Sequence, residues 1–160
     1  MKTLIIYTTK YGCVQKVANI LKSKLNGKVD SFNIIKENAP PLDEYDNIIL
    51  GGSIYFGKIQ KELTSFITEN LSLLLKKRIG LFICAGAPDP QTRCKELESV
   101  FPSDLYNHAL SKEIFGYSID YQKLNFIDKL ITKAVRGDKS NVSEIYEDRI
   151  NNFAKVITAK

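Results

Sequence analysis

The sequence has no tryptophan, one methionine and three cysteines among its 160 residues. The cysteines, Cys13, Cys84 and Cys94, are odd in number and lack C-x-x-C spacing, which argues against structural disulfides and against a zinc site. No apolar run approaches the ~18 residues that a membrane-spanning helix needs. These absences predict a cytoplasmic protein, in a reducing compartment, that binds no metal.

Catalytic side chains are scarce as well. The single histidine, His108, falls in a stretch at 102–110 that we expect to be irregular, and it has no visible partner. We predict a surface position for His108, and we assign no catalytic acid or base to the chain.

The net charge is moderately positive, +5 at pH 7, with a pI near 9.0. Such a charge can steer a protein to an anionic membrane surface, a carboxylated substrate or a nucleic acid. Ordinary solubility explains it equally well, because +5 lies within the range of small soluble domains. We predict no nucleic-acid partner.

Apolar runs alternate with amphipathic stretches along the chain. The runs at 4–7, 48–50 and 79–84 are typical of buried strands in a parallel sheet. Apolar positions three and four apart, from Val14 onward, predict a helix that stops near Gly27. The alternation predicts an α/β fold with a parallel sheet and helices on both faces. The length fits one domain over residues 1–160.

The same patterns predict further elements. A strand of mixed polarity at 29–35 is expected at an edge of the sheet. In the second half of the chain we expect a fifth strand around 113–117. A C-terminal helix is expected there too, with apolar positions that begin at Val142.

Three of the predicted strands end in segments of special composition. Residues 8–14 combine hydroxyls, a glycine and a helix N-terminus, which suits a phosphate. Residues 53–58 carry two aromatic side chains, and residues 85–89 carry small ones beside which a flat ligand fits. The first segment matches neither the Walker A nor the G-x-G-x-x-G pattern. The three segments together predict a slot for a mononucleotide.

Three stretches of the sequence resemble the flavodoxin family. IIYTTKYGCVQKVA resembles its phosphate loop, of form T-x-T-G-x-T, and YDNIILGGSIYFGKI resembles the loop that flanks the isoalloxazine ring. GYSIDYQKLNFIDKLITKAVRG resembles a segment found in the menaquinone-dependent protoporphyrinogen oxidase branch. The resemblance implies a flavodoxin-like three-layer sandwich with a five-stranded parallel sheet of order 2-1-3-4-5. It also implies an FMN cofactor.

The resemblance also implies the residues around the FMN. Those expected at the phosphate are Thr8, Thr9, Lys10, Tyr11, Gly12, Cys13 and Val14. Those expected along the ring are Ser53, Ile54, Tyr55, Phe56 and Gly57, with Ala85, Gly86 and Ala87 on the other side. Tyr11 and Val14 replace two hydroxyl residues of the family loop, at about 1 kcal/mol for each lost hydrogen bond. We therefore expect FMN to bind less tightly here than in typical flavodoxins.

Residues 120–137 form an apolar and basic segment. Its apolar positions, from Leu124 to Ala134, have helical spacing, and four basic residues lie around them: Lys123, Lys129, Lys133 and Arg136. A basic amphipathic helix suits an anionic membrane surface or a carboxylated porphyrin. The alternative is an ordinary helix that packs on the sheet and keeps a solvated basic face.

The resemblance leaves several functions open. The first is an FMN-dependent oxidoreductase that oxidises protoporphyrinogen and passes electrons to a quinone, with peripheral contact to the inner face of the membrane through 120–137. The second is an NAD(P)H-dependent quinone or flavin reductase. The third is a flavodoxin-type electron carrier that serves a protein partner. The fourth is a structural or regulatory domain that has lost FMN.

Overall fold

A five-stranded parallel sheet lies at the centre of the computed structural model, which describes residues 1–137 and 139–159. Its spatial order is β2-β1-β3-β4-β5, and every neighbouring pair is parallel. The predicted fold and strand order are therefore confirmed, including the edge position of the second strand. The strands are β1 Lys2–Tyr7, β2 Lys28–Asn33, β3 Asn47–Ser53, β4 Arg78–Cys84 and β5 Ser111–Ile114.

Helices cover both faces of this sheet. Alternate side chains of a strand point to opposite faces, so Leu4 and Ile6 of β1 join one core while Ile5 and Tyr7 join the other. The helices are α1 Cys13–Lys24, α2 Lys61–Leu74, α3 Pro90–Ser99, α4 Ser103–His108, α5 Phe126–Arg136 and α6 Glu147–Thr158. The first core includes buried residues of α2, α3 and α4, and the second includes those of α1 and α6.

The chain leaves the sheet earlier than the sequence predicts. After β5 it turns at Gly116, whose φ is +101°, into a further strand, β6 Gly116–Ile119. This strand pairs antiparallel with β7 Val142–Ile145, outside the main sheet. The predicted strand at 113–117 is therefore wrong at its end. The predicted start of the C-terminal helix at Val142 is also wrong. Val142 belongs to β7, and the helix begins at Glu147.

A short helix, α4, occupies much of the stretch at 102–110 that was expected to be irregular. Its six residues are too few for apolar periodicity to be visible in the sequence. His108 lies exposed at its end, as predicted, with Nε2 2.8 Å from the Lys77 carbonyl oxygen. Among the described residues, no helix combines the length and the apolar character needed to cross a bilayer.

Candidate functional site

A cleft of about 280 Å³ opens beyond the carboxyl ends of β1, β3 and β4. Strand order reverses beside β1, and in doubly wound sheets this is the usual place for a ligand. Ten of the predicted site residues line the cleft: Thr9, Tyr11, Cys13, Ser53, Ile54, Tyr55, Phe56, Gly57, Gly86 and Ala87. The predicted site residues Thr8, Lys10, Gly12, Val14 and Ala85 lie around the cleft without lining it.

Thr8, which follows β1, is linked through Gln60 to the loop after β3. Its hydroxyl donates to Gln60 Oε1 at 2.8 Å, and Gln60 Nε2 donates to the Ser53 carbonyl oxygen at 2.9 Å and to Ser53 Oγ at 3.0 Å. Gln60 therefore fixes the loop after β3 against the end of β1. Val14 and Ala85 contribute to the cores instead, with 0% and 1% exposure.

The turn before α1 leaves a helix N-terminus open. Gly12 has φ +91°, and its N–H donates to Thr9 Oγ1 at 3.0 Å, which closes the turn. Among the described residues, no side chain caps α1, and its first turn carries no acidic residue. The N–H groups of that first turn, together with the positive end of the helix dipole, form a favourable position for an anion.

Helix α5 lies against this turn through a buried carboxylate. Asp128 Oδ2 accepts hydrogen bonds from Lys10 Nζ at 2.6 Å and from the Tyr11 hydroxyl at 2.5 Å. The Tyr11 hydroxyl in turn accepts from the Asn125 N–H at 3.1 Å. Tyr11 stands at a position where the phosphate loop of the family has a hydroxyl residue. Here its phenol instead holds α5 against the turn before α1. No local sequence pattern indicates this contact, because 117 residues separate Tyr11 from Asp128.

Burial tends to raise the pKa of Asp128, but hydrogen bonds from Lys10 and Tyr11 and the charge of Lys10 outweigh it and lower the pKa. The carboxyl group is thus ionised at neutral pH, next to the favourable position for an anion.

Tyr55 of the loop after β3 and Tyr117 of strand β6 line the cleft. Tyr55 lies 5.9 Å from the Tyr11 ring, centroid to centroid, and Lys10 Nζ lies 4.3 Å from its centroid. Burial raises the pKa of the Tyr55 phenol, which therefore stays neutral. Tyr117 of β6 lies close to Gly86, where an added Cβ would be 3.3 Å from the Tyr117 ring. Tyr117 was not predicted as a site residue, because the sequence pattern assigns it to the fifth strand of the sheet rather than to β6.

A tight hairpin turn presents the loop after β3. Tyr55 and Lys58 exchange backbone hydrogen bonds of 2.8 and 2.9 Å. The two residues between them, Phe56 and Gly57, both have positive φ, as a two-residue type I′ turn requires. Phe56 is 68% exposed at the rim of the cleft, so core packing does not account for it.

Helix α5 contributes both polar and apolar residues to the cleft, and part of its apolar surface faces outward. Its residues that line the cleft are Asp128, Ile131, Thr132, Val135 and Arg136. Ile127 and Leu130, by contrast, are 66% and 55% exposed. The alternative in which the predicted apolar stripe packs on the sheet is therefore wrong for these two residues.

Two polar atoms in the wall of the cleft have no hydrogen-bond partner among the described residues, Glu96 Oε2 and Arg136 Nη1. Both atoms are buried, and burial raises the pKa of Glu96. Buried polar groups in native proteins are nearly always paired, so this wall has unused hydrogen-bonding capacity for a ligand.

The architecture and the cleft define a class, that of doubly wound α/β proteins with a ligand cleft at the switch point of the sheet. Within this class, the model of the flavodoxin domain family matches residues 4–145. The chain belongs to the flavodoxin domain family.

Individual relatives cover between about three quarters and nearly all of the chain. Protoporphyrinogen IX dehydrogenase [quinone] of Escherichia coli (strain K12) is 25% identical over 171 residues, which cover 98% of this chain and 94% of that protein. An uncharacterized protein of Methanocaldococcus jannaschii is 34% identical over 119 residues, 72% of each chain. Oxidised flavodoxin 2 from Bacillus cereus shares the fold, with a TM-score of 0.59 and 19% identity over 98% of this chain and 97% of that one.

Proposed function

We propose that the cleft binds FMN, with the phosphate at the open N-terminus of α1. The observation that carries this proposal is the uncapped first turn of α1, which lies beside Thr9 and Gly12 at one end of a cleft with tyrosines in its walls. Glu96 Oε2 and Arg136 Nη1, which are buried and have no partner among the described residues, fit a polar ligand in the same cleft. The donor set therefore fits the cofactor of the family.

Under this proposal, some of the predicted site residues lie at the phosphate of FMN and the others lie along its ring. Backbone N–H groups of the turn and of the first turn of α1 bind the phosphate, while Lys10 supplies nearby positive charge. The loop from Ser53 to Gly57 flanks the ring, and Ala85 to Ala87 closes the other side, with Ala85 acting from the core. When bound, FMN supplies the electron-transfer chemistry, and the protein supplies orientation and electrostatics.

We further propose that the protein is an oxidoreductase that takes electrons from a reduced, carboxylated organic substrate and passes them to a quinone. The name of the E. coli relative supports this substrate and acceptor. The position of α5 supports it as well, because this helix forms a wall of the cleft and brings Arg136 there. The Nη1 atom of Arg136 has no partner in the described part of the chain, and it suits a carboxylate.

The first experiment is reconstitution with FMN, followed by the visible spectrum and by oxidation of protoporphyrinogen with a menaquinone analogue. We expect uptake of a single equivalent of FMN, released on heating, and turnover that requires both FMN and the analogue. A protein that takes up no FMN would contradict the whole proposal. FMN uptake without protoporphyrinogen turnover would contradict only the substrate. Reduction of the bound FMN by NADPH would then favour the reductase alternative.

The exposed side of α5 suits the surface of an anionic membrane. Phe126, Ile127 and Leu130 are 76%, 66% and 55% exposed on this side, and Lys123 and Lys133 are exposed close to them in sequence. Apolar side chains that enter the interface together with lysines near anionic headgroups are typical of helices that lie on membranes. We propose that α5 makes this contact at the cytoplasmic face.

Replacing both Ile127 and Leu130 with aspartate is expected to weaken binding to phosphatidylglycerol-containing vesicles by at least about tenfold, because two exposed apolar side chains that would enter the membrane interface are lost. Vesicle co-sedimentation measures the effect. Val156→Asp is the matched control, since Val156 is 44% exposed but lies on α6. An equal loss in the control, or unchanged binding in the α5 variant, would exclude α5 as the contact.

A further inference from the structure

Helix α5 lies outside the main sheet, on an excursion of the chain between two paired strands. β6 ends at Ile119 and β7 begins at Val142, and these two residues are partners in the antiparallel ladder. The Tyr121 N–H also donates to Asn141 Oδ1 at 2.8 Å, just beyond the ladder. Both ends of the excursion are therefore held at one place, so α5 can move as a body while the main sheet stays paired.

One carboxylate anchors α5 to the rest of the protein. Among the described residues, Asp128 is the only residue of α5 that is buried. Its Oδ2 atom accepts from Lys10 Nζ at 2.6 Å and from the Tyr11 hydroxyl at 2.5 Å. The N–H of Asn125, immediately before the helix, donates to the same hydroxyl at 3.1 Å. The polar contacts at this end of α5 therefore converge on the turn before α1.

The rest of α5 is held more weakly. At its last residue, the Arg136 guanidinium carbon lies 5.7 Å from the centroid of the Tyr117 ring, a cation–π contact. Phe126, Ile127 and Leu130 are exposed, so they contribute little apolar burial. The position of α5 over the cleft therefore depends on the partners of Asp128.

We propose that α5 is a lid of the cleft, and that the ion pair of Asp128 with Lys10 is the latch that holds it closed. The anion that opens this lid is the FMN phosphate, a step that rests on the proposed function. A phosphate at the N-terminus of α1 attracts Lys10 and repels the Asp128 carboxylate, so it shifts the lid toward an open position. Binding of the cofactor thereby moves the wall that contains Thr132 and Arg136 and admits a second ligand.

Hydrogen–deuterium exchange of the full-length, FMN-free protein tests the latch. A detached helix of 11 residues is marginal in water, so an open lid exchanges its amide hydrogens faster. Asp128→Asn is expected to raise the exchange rate of α5 peptides by about tenfold and to leave α6 peptides unchanged. Lys10→Met removes the other half of the ion pair and is expected to act in the same direction.

Asp120→Asn is the matched control for the latch. Asp120 lies in the same excursion and pairs with Lys123 at 3.6 Å, so this substitution changes the charge without touching Lys10. Its α5 peptides should exchange as those of wild type do. Unchanged exchange of α5 in both Asp128→Asn and Lys10→Met would overturn the proposal.

FMN and riboflavin, which has the same ring without the phosphate, test the release. We expect FMN to speed the exchange of α5 in wild type but not in Asp128→Asn, and riboflavin to change neither. FMN uptake in the visible spectrum with unchanged or slower exchange of α5 would overturn the release and leave the proposed function intact. A protein that takes up no FMN would contradict the proposed function and the release with it, while the FMN-free comparison still decides the latch.

Discussion

Replacing Gly116 with alanine is expected to destabilise the protein by about 3 kcal/mol. Gly116 has φ +101°, and a Cβ there would lie 1.9 Å from the backbone oxygen of Glu144. That oxygen belongs to β7, which pairs with β6, and the Gly116 carbonyl in turn accepts from the Ala85 N–H at 3.0 Å. The clash cannot be relieved by rotating a side chain, so the pairing of β6 with β7 must open.

Gly137→Ala is the matched control for this prediction. Gly137 also has a positive φ, +77°, but apart from its chain neighbours no atom of the described residues lies within 4 Å of a Cβ built there. Only the backbone conformation is unfavourable, at about 1 kcal/mol. Urea unfolding of both variants measures the difference. Equal shifts of the midpoint would mean that the close contact with Glu144 is relieved without loss of strand pairing.

The consequence for the cleft follows from the position of β6. Tyr117, Ser118 and Ile119 of this strand line the cleft, and Tyr117 lies beside Gly86. If β6 separates from β7, these side chains move. Gly116→Ala is therefore also expected to weaken FMN binding under the proposed function. Gly137→Ala leaves β6 in place.

The central sheet could be predicted from the sequence because its buried strands are recognisable from local sequence alone. β3 and β4 are buried along nearly their whole length, and such strands are continuous apolar runs in the sequence. The loops at their carboxyl ends then meet at one edge for reasons of topology alone. Ten predicted site residues reach the cleft on this basis, although their role in binding FMN stays a prediction.

The wall formed by β6 and α5 could not be predicted in the same way. Helical spacing shows which residues share a face, but it does not show whether that face meets the protein or the solvent. Ile127 and Leu130 share the expected face and are nevertheless exposed. Asp128 was not selected, because its partners Lys10 and Tyr11 lie more than a hundred residues away. Long-range side-chain pairs of this kind leave no local pattern in one sequence.

Replacing Asp128 with asparagine is expected to tighten FMN binding by about tenfold, or about 1.4 kcal/mol. The Asp128 carboxylate takes the hydrogen bonds of Lys10 Nζ and of the Tyr11 hydroxyl beside the open N-terminus of α1. It is ionised and its side chain is only 8% exposed, so solvent screens it weakly against a neighbouring phosphate. Asparagine keeps the shape and a hydrogen-bonding oxygen, removes the like charge, and releases Lys10 for the phosphate.

Fluorescence titration of the FMN-free protein with FMN measures this change in Kd. Asp120→Asn is the matched control, because it makes the same change of charge at a side chain that pairs with Lys123 and does not line the cleft. Its Kd should stay within about twofold of wild type. Lys10→Met should act in the opposite direction, because it leaves the Asp128 charge unpaired near the phosphate. If Asp128→Asn instead weakens FMN binding, the carboxylate organises the turn for the phosphate, and α5 is then a required part of the anion site.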